Sequence, residues 1–141
     1  MVRLLVLLFV LMLVACTGVD AAPAAKADAI VCTAAYRSSV SDPLEREETL
    51  SFDDTDAEQS LTFTDLVFHA AYTTGERDNE RALRTSVTAT DETLIYNLQL
   101  YQLPLDNGPE NQFVGGHGFT GLNYTYHPTS LAELQFWCEA Q

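Results

Sequence analysis

The apolar residues of this chain recur at every second position, in short runs broken by turn-forming residues. That spacing belongs to strands half-buried in a sheet. Leu94, Tyr96, Leu98 and Leu100 alternate with Ile95, Asn97, Gln99 and Tyr101 before Pro104 stops the run. Leu83, Thr85, Val87 and Ala89 repeat the pattern one segment earlier. Between Ser60 and Tyr72 the parity changes. Leu61 and Phe63 share one face, then Leu66, Phe68, Ala70 and Tyr72 take the other, so a bulge or turn is required near Thr64-Asp65. Leu122, Tyr124 and Tyr126 form a further apolar stripe that ends at Pro128, while Ile30–Val40 and Thr49–Asp53 are weaker strands. Leu105-Asp106-Asn107-Gly108-Pro109 is the clearest loop. The expected fold is all-β: a single small antiparallel β-sandwich or barrel of about seven strands.

The C-terminus supports two readings. Ser130-Leu131-Ala132-Glu133 fits a helical capping box, with Leu131, Leu134 and Cys138 on one helix face. Leu134, Phe136 and Cys138 also alternate, and Gln135-Phe136-Trp137 favours a strand. The strand is the preferred reading, and it would form a hairpin with Leu122–Tyr126.

The other end of the chain is not part of this pattern. Arg3 is the only charge in the first nineteen residues, and Leu4 to Val14 is an unbroken run of eleven apolar residues. A charged start, a short apolar run and small residues behind it make a secretory signal. The run is too short to span ~30 Å of hydrocarbon, which takes ~20 residues. It ends in Leu13-Val14-Ala15-Cys16. This tetrapeptide resembles the lipobox of bacterial lipoproteins, a likeness confined to the first sixteen residues. It implies that Cys16 becomes the mature N-terminus and carries a diacylglyceryl group, usually with a third acyl chain. The chemistry requires a thiol, since the lipid is thioether-linked. Ordinary cleavage after Ala21 or Ala22, behind Val19-Asp20-Ala21, is the alternative, and it would give a freely secreted protein.

The expected organisation is a signal peptide over 1–15, a lipid-anchored tether over 16–29 and a β domain over 30–141. The tether is rich in Ala and has neither aromatics nor apolar periodicity. About 110 residues then remain, enough for one core. The chain holds three cysteines, and an odd thiol in an exported protein asks for an explanation. With Cys16 removed as anchor or as discarded leader, Cys32 and Cys138 form a pair, and an oxidising compartment would keep it bridged. The bridge would join the first and last strands, and closing a sheet in this way would remove exposed edges.

Seven Lys plus Arg stand against twenty Asp plus Glu, for a formal net charge of −13. The only lysine is Lys26, in the tether. Nucleic acid and an anionic membrane surface are not expected as partners, because phosphate binding needs clustered basic side chains. A basic protein would instead be steered in by such a field. Contact with a membrane would run through the N-terminal lipid alone.

No catalytic motif stands out. The chain lacks a GxSxG element, and after maturation it has no free thiol to serve as nucleophile. His69, His117 and His127 would suffice in number for a zinc site but lack paired ligand spacing, so separate structural roles are expected. Asp42 to Glu58 holds the densest acid. Asp53, Asp54 and Asp56 are weak calcium candidates there, but the glycine-bearing loop of an EF-hand is missing and a solvated acidic loop is the expectation. No metal or cofactor is expected.

Gly115-Gly116-His117-Gly118-Phe119-Thr120-Gly121 lacks a phosphate-loop ending. Its glycines permit positive φ or the close approach of another backbone, so a bulged turn is expected, with a ligand-contacting rim as the sharper alternative. Tyr101 and Trp137 fall opposite the core stripes. If exposed they would anchor a partner, since Tyr and Trp are enriched at binding hot spots; His117, in the glycine-rich turn, is a further candidate contact. The alternative is a second buried face.

The expected function is therefore non-enzymatic: a lipid-anchored cell-envelope domain that binds a protein or small ligand, with a basic protein as one version. The plan is loosely similar to that of small lipoprotein inhibitors of lysozyme, although none of their contact motifs is present. A lipocalin-like carrier of a small apolar ligand and an envelope hydrolase using carboxylates or a metal are the alternatives.

Overall fold

Each alternating run folds as a strand, and the turn residues between runs set the hairpins. The computed structural model describes residues 29–53, 55, 57–75, 80–104 and 108–141. Residues 1–28, with Cys16, and Asp54 and Asp56 lie outside the described residues. The strands are β1 (Ile30–Arg37), β2 (Arg46–Phe52), β3 (Ala57–Thr62), β4 (Leu66–Thr73), β5 (Ala82–Ala89), β6 (Ile95–Gln102), β7 (Asn123–Tyr126) and β8 (Glu133–Ala140). They form two four-stranded antiparallel sheets, in the orders β2-β1-β8-β7 and β3-β4-β5-β6. Among the described residues eight strands stand where about seven are expected, and the architecture is a sandwich.

Rings from the two sheets fill the space between them. Phe68 on β4 meets Phe136 on β8 at 4.9 Å, Phe52 on β2 meets Tyr72 on β4 at 6.4 Å, and Tyr36 on β1 stacks on Phe63 at 5.3 Å. The parity change between Leu61 and Leu66 is a turn over Phe63-Thr64-Asp65, closed by the Phe63 N–H donating to the Leu66 carbonyl. The C-terminus is a strand. Its Ser130 serves a turn instead of a helix, taking the Ala132 N–H on its hydroxyl.

Cys32 and Cys138 are bridged and lie directly opposite each other on β1 and β8, with both sulfurs in the core. The bridge joins the first strand to the last, as expected, but it does not close a sheet. β1 and β8 are central, so β2, β7, β3 and β6 remain as edges. The glycine-rich segment holds the same place from outside. The Phe119 N–H donates to the Cys138 carbonyl at 3.0 Å, and the Cys138 N–H donates to the Thr120 hydroxyl at 2.7 Å. Cys138 therefore turns its backbone groups away from β1, which makes Cys32–Cys138 a non-hydrogen-bonded pair, the kind in which opposed Cα atoms come closest. Their Cα atoms are 4.0 Å apart. Gly118 is required here: its φ is +60°, and a Cβ on it would lie 2.1 Å from the Cys138 carbonyl oxygen.

Two stripes face the other way from the sequence reading. On β6, Ile95, Leu98 and Leu100 point to solvent, whereas Tyr96 and Tyr101 pack on the core. A register shift opposite Val87/Thr88 places an extra residue in β6, and the larger rings take the space between the sheets. On β7, Tyr124 and Tyr126 are exposed and the small Thr125 is buried. The acidic stretch is corrected too: Glu47 and Glu48 lie in strand β2 instead of a loop.

Candidate functional site

The outer face of the β2-β1-β8-β7 sheet gathers the most distinctive surface chemistry. Register sets it out in rows across the strands. Tyr126, Glu133 and Arg37 form one row. Tyr124, Gln135, Ala35 and Glu47 form the next. Trp137, Thr33 and Thr49 form the third. The short β7 thus places two tyrosines beside β8, and β8 supplies Glu133, Gln135 and Trp137 at alternate positions.

Glu133 is the electrostatic centre. Only 2% of its side chain is exposed, yet it sits on the sheet's outer side. Arg37 covers it, with Nη2 at 2.8 Å from one carboxylate oxygen and 2.9 Å from the other, and Gln135 donates to Oε1 at 2.6 Å. Burial pushes the Glu133 carboxyl up, but the hydrogen bonds from Arg37, Gln135 and Tyr126 together outweigh it and hold the group below its ordinary range. The acid is therefore a satisfied anion, which fixes the ring positions around it. It is not a proton donor at neutral pH.

His117 reaches this face from the glycine-rich loop, its ring edge-on to Trp137 with centroids 5.5 Å apart. The structure thus brings together two of the three contact residues read from sequence, His117 and Trp137. Tyr101 lies elsewhere, half-buried on the inner side of β6, with its ring edge-on to Phe119 at 6.1 Å. Tyr124, Tyr126, Arg37 and Glu133 were not legible as part of a site. The available signal was the Tyr-x-Tyr spacing around a small Thr125, which puts hydroxyl-tipped rings on the wet side.

A shallow pocket of about 270 Å³ lies at one end of the sandwich. Thr64 and Asp65, Asp91 and Thr93, and Tyr96 with His127 line it. Asp65 accepts the buried Tyr36 hydroxyl at 2.6 Å. Burial, and then that carboxylate, push the Tyr36 phenol up to about 12. His127 takes the Ser130 N–H on Nδ1 at 3.1 Å and stands edge-on to Tyr96. The pocket is smaller than the ~300–1,000 Å³ of most ligand sites and its rim is polar.

Among the described residues, no group of three or more His, Cys, Asp and Glu is placed to hold a metal ion. Asp53, the described member of the calcium candidates, accepts both the N–H and the hydroxyl of Thr55, and these hold its carboxyl below the ordinary range. Gly115–Gly121 packs against β8 through Gly118, and Gly121 lies against the Phe113 ring. No family model matches the chain, and no curated protein and no solved structure matches it.

Proposed function

We propose that the chain is an exported, non-enzymatic binding protein, held at a bacterial envelope membrane by lipid on Cys16, whose β domain docks a basic protein on the outer face of the β2-β1-β8-β7 sheet. The observation that carries this reading is that Tyr126, Tyr124 and Trp137 occupy successive rows of one sheet face, the first of them the row of Arg37 and the buried Glu133. Tyr124 and Tyr126 are exposed and Trp137 is half-buried, and aromatic rings on a rigid sheet supply contact area at small entropic cost. Their faces also attract Arg and Lys side chains. A net charge of −13 adds long-range attraction for a cation.

Export is supported by the Leu4–Val14 run, the Leu13-Val14-Ala15-Cys16 tetrapeptide and the Cys32–Cys138 bridge, which suits an oxidising compartment. The test of the docking face is site-specific photo-crosslinking in the organism that makes the protein. A crosslinker at Tyr124 should capture one basic protein, and a crosslinker at Ser60, on the opposite sheet, should not. Equal capture from both positions, or capture of an acidic protein at Tyr124, would overturn the reading.

A further inference from the structure

Four strands form the edges of this sandwich, and three of them are protected. β2 carries Arg46, Glu47 and Glu48, β3 carries Glu58, and β7 is four residues long. Charge and shortness are the usual defences of an edge against pairing with another chain. β6 has neither. It runs for eight residues, Ile95–Gln102, without a charge or a proline.

Its backbone points the same way. The Leu103 N–H donates to the Arg81 carbonyl at 2.9 Å, which makes Arg81–Leu103 a hydrogen-bonded pair. Bonding alternates along an antiparallel ladder, so Tyr101, Gln99 and Asn97 turn their backbone groups toward β5. Leu98 and Leu100 turn theirs to the free edge, and among the described residues no hydrogen bond meets them there. The same two residues have side chains exposed to 60% and 71%, with Ile95 beside them at 62%. An open ladder and an apolar stripe therefore coincide on one strand.

We infer that β6 pairs antiparallel with β6 of a second copy of this chain, across a two-fold axis at Gln99, joining two four-stranded sheets into one of eight strands. Leu98 then lies opposite Leu100 of the second copy, and both residues' free N–H and C=O groups are met. Charge selects this occupant. At −13 per chain, two copies repel over most of their surface. Two edge strands, β6 and β7, bring no acid to a contact, and β6 is the longer, at eight residues against four. On the neighbouring β5, Arg84 is already matched by Glu58 at 3.3 Å. A cationic partner, by contrast, would find no carboxylate on β6.

The experiment is sedimentation of the protein as its host processes it, in detergent if lipid is attached. It spans about 1 μM to 1 mM, where a small interface of this kind dissociates. It should be run in low and in high salt, because screening weakens the repulsion. The wild-type protein should reach twice the chain mass, at lower concentration in high salt. Leu98→Lys should be monomeric. Leu100→Pro should be monomeric as well, because it deletes only an edge N–H that has no partner within the chain. Both variants should keep the wild-type melting temperature. A wild-type protein that stays monomeric to the top of the range in high salt would overturn the inference, as would a dimer that persists in either folded variant. Should one variant fail to fold, the other still decides.

Discussion

The Arg37 guanidinium lies over the Glu133 carboxylate at 2.8 Å, joining the end of the first strand to the start of the last, ninety-six residues away. Replacing Arg37 by Met strands a carboxylate that is almost fully buried. Denaturation at neutral pH should then show a melting temperature several degrees lower. The pH dependence follows from the direction of the shift. Glu133 is held low when folded, so the pair's stabilisation is present above the ordinary carboxylate range and is lost as pH falls through the lower folded value. The deficit of the Arg37→Met protein should shrink in acid. A deficit independent of pH would contradict this account of Glu133.

Tyr36 gives the opposite window. Its phenol ionises near 10 in an unfolded chain and near 12 here, because of burial and the Asp65 carboxylate. The folded state keeps a proton that the unfolded state releases, so this contribution is intact below pH 10 and is lost between about 10 and 12. An ultraviolet titration should find one tyrosine ionising after the others, and Tyr36→Phe should abolish that last step.

The bridge and the loop that clasps it are separable in stability. Removing both cysteines by Cys32→Ala with Cys138→Ala opens a loop spanning 106 residues, and should cost up to about 4–5 kcal/mol in the chain-entropy model. Thr120→Val leaves the Cys138 N–H without its acceptor at a buried position, and should cost about 1–3 kcal/mol with the bridge intact. Chemical denaturation of both proteins, with the mass gain of about two units on reduction as a check on the bridge, measures the two effects separately.

Processing has a mass signature. A protein that begins at Cys16 and carries acyl chains is the expectation for material made in a bacterial host. A mass starting at Ala22 or Pro23 would replace the anchored protein with a freely secreted one, without touching the proposed docking face.

Much of the fold was legible because strand period, turn residues and cysteine arithmetic all report on the backbone. The turn at Thr64-Asp65, the hairpin of Leu122–Tyr126 with the last strand, and the pairing of Cys32 with Cys138 follow from those signals. Which face a strand turns inward was harder. On β6, Ile95, Leu98 and Leu100 are more apolar than Asn97, Gln99 and Tyr101, yet the latter face the other sheet. There Gln99 donates to Asn123 at 2.8 Å and the Tyr101 ring reaches Phe119. A hydrogen-bonded seam between sheets leaves no trace in a one-dimensional hydropathy pattern. Nor does a bulge that adds one residue. The proposed docking face was hidden for the same reason: Tyr124 and Tyr126 count as apolar in a stripe, but their position beside Glu133 and Gln135 depends on pairing between strands.

Trp137 is the chain's single tryptophan, so its emission reports on the proposed docking face without interference. The decisive measurement is a titration with a tryptophan-free, arginine-rich peptide, following that emission and the heat of binding together. The account predicts a saturable change in emission that tracks the heat, weakens with salt and disappears in the Tyr124→Ser, Tyr126→Ser double variant. Heat of binding with unchanged Trp137 emission would place the cation elsewhere on the molecule, and would contradict the claim that this face is where a basic partner docks.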